Sequence, residues 1–169
     1  YYVYRPAGSS ADMKYKGISP TGKLPREVDF PLYPSQEPEK FSILVFGDPQ
    51  SRDRTDAGYF GQQVVRPLID SAQSYKFGLL LGDISFNDLT VFDPVMSRAA
   101  LIDIPWYALP GNHDHNQDKG IKYDSLTTET YTDFFGPATY SFNYGKVHFI
   151  MTDDVVLPNP TGKSQYIGG

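Results

Sequence analysis

Hydrophobic and polar positions change period several times along the chain, and the changes predict alternating strands and helices. Residues 41–46 form an apolar run of strand length, as expected of a strand covered on both faces. Phe60, Val64, Val65, Leu68, Ile69 and Ala72 then fall on one helical face, although Pro67 must kink that helix or restart it. Residues 77–81 give a second strand. A second helical segment follows over 91–103, with Pro94 near its first turn, and a third strand over 104–109, whose two prolines predict an exposed start and an abrupt stop. This is a repeated β-α-β pattern, and right-handed crossovers place all three strands in one α/β sheet. Downstream, 125–135 reads as a short helix ended by Gly136-Pro137, and 139–143 and 146–152 alternate about a Tyr144-Gly145 turn as a hairpin.

Residues 1–40 follow another rule. They are rich in Tyr, Pro and Gly, with short alternating stretches at Tyr2-Val3-Tyr4 and Val28-Asp29-Phe30 and no helical period. Such a stretch is too short to bury a core of its own. It reads as the tail of a small β-rich module and a linker stiffened by Pro31, Pro34 and Pro38, or as an arm packed on the main domain, which occupies 41–169.

Each of the three predicted strands ends in a cluster of polar residues: Gly47-Asp48-Pro49-Gln50, Gly82-Asp83-Ile84-Ser85-Phe86-Asn87-Asp88 and Gly111-Asn112-His113-Asp114-His115. Ligands of open parallel sheets bind beyond the carboxyl ends of the strands, so the three clusters are expected to converge. Any one aspartate after a strand is more often a helix N-cap or a turn residue. A second Gly-Asp one crossover later, and then an amide, an imidazole and a carboxylate on consecutive positions, make a joint role the better reading. The donors are hard oxygens plus one imidazole, which suits divalent metals and phosphate chemistry.

Composition narrows the class. The chain of 169 residues is 40% hydrophobic and 15% aromatic, enough for a real core. Its formal charge of -5 comes without a basic run, which argues against a dedicated nucleic-acid surface and against docking on anionic lipid. With no cysteine, disulfides, thiolate metal sites and cysteine catalysis are excluded. No apolar run reaches the roughly 18 residues of a membrane span. The chain opens on Tyr1-Tyr2-Val3-Tyr4, neither a methionine nor a basic leader, so its beginning is expected to be internal to a longer protein. The small β module points to an exported, periplasmic or secreted bacterial protein.

In order and spacing, Asp48, Gly82-Asp83 with Asn87 or Asp88 beyond it, and Gly111-Asn112-His113-Asp114 resemble the first three motifs of the calcineurin-like binuclear metallophosphoesterase superfamily. The hairpin from Tyr140 to Ile150 resembles the segment that follows there, so the likeness covers roughly residues 41–157. It implies a layered α/β/β/α sheet sandwich whose C-terminal part is missing here. It further implies two divalent metals (Mn, Fe, Zn or Mg), with Asp83 bridging both, Asp48 on the first and Asn112 on the second. His113 would protonate the leaving-group oxygen and Asp114 would orient it. Beside these, Asn87 is a candidate for contact with the phosphoester substrate, and His115 could line the substrate mouth or simply be solvated. The first motif normally reads Asp-x-His, whereas Gln50 stands in the third place here as a neutral oxygen ligand or water holder, and the later Gly-His-x-His motif is absent after His148.

His148, next to apolar residues inside a predicted strand, is expected to be structural, and Asp53, Asp56 and Asp118 to be loop charges. The leading expectation is metal-dependent hydrolysis of a phosphomonoester or phosphodiester by the intact protein. The alternative, motivated by Gln50 and the missing histidines, is a non-catalytic metal- or ligand-binding module that keeps the fold. A magnesium-dependent phosphotransferase is disfavoured, because Asp48 is not followed by a second carboxylate two positions on.

Overall fold

A computed structural model of the protein describes residues 3–10, 13–32, 34, 36–118, 121 and 123–156. Three short strands, β1 (Leu44–Phe46), β2 (Gly78–Leu81) and β3 (Trp106–Leu109), form a parallel sheet in the order β1-β2-β3. Pro105 has no N–H to give a ladder, so β3 starts at Trp106 rather than at 104, and Pro110 closes it.

Alternation along these strands builds two cores. Leu44, Phe46, Leu80, Trp106 and Ala108 face a helical layer, while Ile43, Phe77, Leu79, Tyr107 and Leu109 face the opposite way. That second face is covered by the antiparallel hairpin of β4 (Tyr140–Tyr144) and β5 (Val147–Met151). Phe77 sits at its centre, with ring contacts to Phe41, Tyr107, Phe142, Tyr144 and Phe149 at 5.3–6.1 Å between centroids. The order of layers is therefore helices, parallel sheet, hairpin. The hairpin turns at Gly145-Lys146, one residue later than its alternation predicted, with Gly145 at φ 57°.

The helical layer departs further from expectation. It starts earlier, with α1 (Arg54–Phe60), then widens into a π turn over Gly61–Val65 and tightens into a 3-10 segment over Arg66–Ser74. Pro67, at the start of that segment, cannot donate to an α ladder, so the apolar face predicted for one helix is spread over three helical types. Asp53 caps α1, accepting from Thr55 N at 2.7 Å and Asp56 N at 3.0 Å, and Asp56 pairs with Arg52. The first two of the expected loop charges are thus a cap and its neighbour. Asp53→Ala is expected to cost about 1 kcal/mol of stability, read as a lower denaturant midpoint with an unchanged slope; no shift would deny the cap its role. The second helix, α2 (Phe92–Ala99), carries Pro94 in its first turn as predicted. The third, α3 (Glu129–Phe135), is shorter than 125–135, because Asp124–Leu126 forms a separate 3-10 turn, and it ends at Gly136 with φ 99°.

No strand forms among the described residues of 3–40, and the stretch at Val28-Asp29-Phe30 remains unpaired. This segment lies against the main domain at several points. Tyr15 packs on the helical core, Ile18 is buried, and Arg5 Nε meets the buried Glu129 carboxylate at 3.1 Å. Among the described residues no helix is long and apolar enough to cross a membrane.

Candidate active site

The three strand-end clusters meet. The loop after β1 is tied to the loop after β2 by Gln50 N donating to Asp83 O at 2.7 Å and by a parallel bridge between Ser51 and Ser85. The loop after β3 joins them through His113 N, which donates to Asp83 Oδ1 at 3.0 Å. These turns are sharp. Asp48, Gln50, Asp83 and Asn87 all have positive φ, between 41° and 66°, a conformation that costs non-glycine residues about 1–3 kcal/mol each and persists where the surroundings enforce it. Close backbone approach is part of that enforcement: a Cβ on Gly111 would lie 2.3 Å from Asp83 Oδ1 and 2.4 Å from Asp83 N, so only glycine lets the third loop reach the second.

Asp83 stands in the middle. Its Oδ1 takes the His113 amide, and its Oδ2 takes Gln50 Nε2 at 3.0 Å and faces His113 Nε2 at 4.0 Å. Asp48 is exposed and lines, with Gln50, Asp56, Tyr59 and Gln63, a cleft of about 470 Å³ beside β1. Asn112, half-buried, opens the short turn Asn112–Asp114 that carries His113. The His113 ring stacks on Phe86 with centroids 4.5 Å apart and bonds Asn87 Oδ1 through Nδ1 at 3.0 Å. The contact between Nδ1 and Asn87 serves either tautomer, and Nε2 faces the Asp83 carboxylate.

Several expected roles change here. Asp114 does not touch the His113 ring: it is fully buried and spends its carboxylate on Ile84 N (3.0 Å), Ser85 N (2.8 Å) and Gly111 N (3.1 Å). Burial pushes its carboxyl up to about 6, against these backbone donors, which favour the charged form. It ties the second loop to the third, and the group that orients His113 is Asn87. His115, expected near the substrate, lies 2% exposed inside the domain, with Nδ1 donating to Thr127 Oγ1 at 2.7 Å and Nε2 3.6 Å from Asp153 Oδ1. The chain turns inward directly after the Asn112–Asp114 turn, which removes His115 from any substrate mouth. His148 is exposed and bonds Asn143 Oδ1 on the outer hairpin face, so it is not a packing residue. Asp118 accepts from Lys14 N, an anchor for the N-terminal segment rather than a free loop charge.

Residues that no motif pointed to complete the assembly: Ser85, whose hydroxyl donates to His113 O at 2.8 Å; Gln117, whose Nε2 donates to Asn87 Oδ1 at 2.6 Å; and Tyr15, whose hydroxyl donates to Asn87 O at 2.9 Å. Only Ser85 sits within a segment the sequence marked.

Two oxygen-rich loops and a positioned imidazole at the carboxyl ends of parallel strands agree with the match of a family profile, calcineurin-like phosphoesterase, to residues 41–163. The chain belongs to the calcineurin-like phosphoesterase family. Among solved structures it is similar to the purple acid phosphatase PPD1 from yellow lupin (Lupinus luteus) seeds, at 18% identity and a TM-score of 0.48 over 67% of this chain and 24% of that one. The chain thus spans about a quarter of that protein. No curated protein matches it.

Calcineurin-like phosphoesterases typically bind two metals. The donors present in this member fit that requirement in part. Asp48 and Asp83 offer carboxylates and Gln50 and Asn112 amide oxygens, a set suited to a hard cation. Among the described residues, however, no three His, Cys, Asp or Glu side chains come together in a way that could hold a metal ion. The set fits one side of a metal centre and does not fit a complete pair.

Proposed function

We propose that the intact protein hydrolyses a phosphomonoester or phosphodiester with divalent metal, and that this chain carries the leaving-group side of the site. The observation that carries the reading is His113: stacked on Phe86 and bonded at Nδ1 to Asn87, it keeps Nε2 facing the Asp83 carboxylate. When doubly protonated, a ring so placed can give its Nε2 proton to a leaving group and become neutral, the other proton staying on Nδ1. Divalent cations, when bound, would neutralise charge on the phosphoryl group. Asp48, Gln50, Asp83 and Asn112 would hold them on this side, and Asp114 would keep the two loops that bear Asp83 and Asn112 in register.

The test is a panel of phosphomonoesters and phosphodiesters offered to the intact protein with Mg, Mn, Fe or Zn. Metal-dependent turnover of one class is expected; its absence with every metal would reject the reading. The non-catalytic alternative rests on the lack of a three-residue metal cluster among the described residues and predicts binding without turnover. Gln50 provides a separate check. Gln50→His should retain metal and shift preference toward zinc or iron, since imidazole is a softer donor than an amide oxygen, whereas Gln50→Ala should lower metal content. Unchanged metal content and selectivity in both variants would make Gln50 a bystander.

A further inference from the structure

The cleft of about 470 Å³ beside β1 includes Asp48 and Gln50 in its lining, while Asp83, Phe86, Asn87 and His113 take no part in it. It follows the open edge of β1, since the order β1-β2-β3 leaves that strand unpaired on one side among the described residues. Across from the edge stand Tyr59, near the end of α1, and Gln63 and Val64 in the π turn Gly61–Val65, a rare helical type that recurs at functional sites. The apolar part of this lining is uncovered: Tyr59 is 54% exposed, Val45 49% and Val64 41%. The Tyr59 hydroxyl and the Gln63 carboxamide have no partner among the described residues.

The chemistry of the lining selects a class of ligand. No Lys, Arg or His lines the cleft among the described residues, so a second anionic group, such as the rest of a polyphosphate chain, would find no countercharge there. Of its two carboxylates, Asp56 is already paired with Arg52 and Asp48 belongs to the proposed cation ligands, so neither is left to favour a cationic group. An uncharged organic group fits. Its apolar surface would meet Val45, Val64 and the Tyr59 ring, and a hydroxyl or carbonyl on it would meet the phenol of Tyr59 or the amide of Gln63, each of which both donates and accepts. Position then decides which part of an ester this group is. Gln50 meets Asp83 Oδ2 at 3.0 Å and His113 Nε2 lies 4.0 Å from the same oxygen, so the path from the cleft to the ring runs through Gln50 and Asp83. A group lodged in the cleft is thus set apart from His113, and it is the ester group that stays on phosphorus.

We propose that this cleft holds the retained group of a phosphodiester, an uncharged group with apolar or aromatic surface, and that Tyr59 and Gln63 set the specificity for it. The proposal rests on the phosphoester reading above and narrows it to diesters: the oxygen of water joins phosphorus, the P–O bond to the leaving group breaks, the leaving oxygen takes a proton, and the product monoester keeps the group in the cleft. Binding can be read without turnover. In the intact protein, loaded with Mg or Zn and labelled with 15N, phenylphosphonate, whose P–C bond is not hydrolysed, should shift the backbone amides of Tyr59, Gln63 and Val64, and methylphosphonate should leave them in place. Tyr59→Ala and Gln63→Ala, at exposed positions outside both core clusters, should weaken phenylphosphonate by about 3–10-fold and methylphosphonate not at all. Amides away from the cleft should match the parent, showing that the fold is kept. In turnover, phenyl nitrophenyl phosphate should exceed methyl nitrophenyl phosphate by ~10–10²-fold in kcat/KM, mainly through KM because the leaving group is the same, and both variants should shrink that ratio. Unmoved amides throughout the titration, or a ratio near one that neither variant alters, would overturn the cleft assignment, and diester turnover would still keep the proposed function. Shifted amides in a protein that turns over no phosphoester would do the opposite. Hydrolysis of phenyl phosphate but of neither diester would put the phenyl group on the leaving side and refute the proposal.

Discussion

Replacing His113 by asparagine in the intact protein is expected to slow hydrolysis of poor-leaving-group esters by ~10²–10⁴-fold, the scale of losing a positioned acid, or roughly 3–5 kcal/mol of barrier. The loss should be selective. Nitrophenolate departs with little need for a proton, so nitrophenyl esters should slow far less. Metal content should remain at the parent level, because the His113 ring, held by Asn87 and Phe86 with its Nε2 4.0 Å from Asp83 Oδ2, is outside the proposed ligand set. Asn112→Ala, one position earlier, should do the reverse, raising the metal concentration needed for activity. Rates against leaving-group acidity, together with metal analysis of both variants, separate the two residues. Equal slowing of good and poor leaving groups, or loss of metal from His113→Asn, would end the assignment of His113 as the acid.

The largest effect on folding is expected at Asp114. Its carboxylate accepts three backbone N–H groups across two loops while fully buried, so truncation to alanine orphans three donors at once. An unsatisfied buried donor costs about 1–3 kcal/mol, and the sum is comparable with the roughly 5–15 kcal/mol that holds a domain together. Asp114→Ala should therefore lower the urea midpoint severely or abolish a cooperative transition. Asp114→Asn keeps one acceptor and sets an NH2 against a backbone N–H, so it should fall between. A midpoint unchanged by either substitution would mean that Asp114 does not tie the loops. His113 and Asp114 are thus neighbours with separable tasks, one chemical and one structural.

The difference between these neighbours shows where sequence reading reached and where it stopped. Gly-Asn-His-Asp after a strand marked the right loop, and the apolar runs before each cluster marked the three strands to within a few residues at their starts. Those signals are local. Burial on both faces imposes a continuous apolar run, and the end of a strand is where a polar residue first becomes tolerable. The roles inside the loop were not legible, because Asp114 and His115 differ from His113 only in the direction their side chains take. That direction depends on Ile84, Ser85 and Thr127, which are 12 to 30 positions away.

Helical detail failed for a related reason. The apolar spacing from Phe60 to Ala72 fits a single α-helix, yet Pro67 and the packing of the layer divide it into α, π and 3-10 turns. In the sequence Asp53 has the look of a loop charge, because its cap bonds exist only once the helix begins at Arg54.

Sequence alone determined the α/β order, the parallel three-stranded sheet, the hairpin and the three polar clusters at the strand ends, because each follows from periodicity and from the handedness of short connections. Tertiary structure alone decided which of those residues face one another: Asn87 rather than Asp114 on the His113 ring, His115 inside the domain, and Tyr15 and Gln117 on Asn87. A hydrogen bond is specified by a few tenths of an ångström and a narrow angle between groups distant in the chain. Nothing in local pattern encodes that distance, and it comes into being only when the loops are packed together.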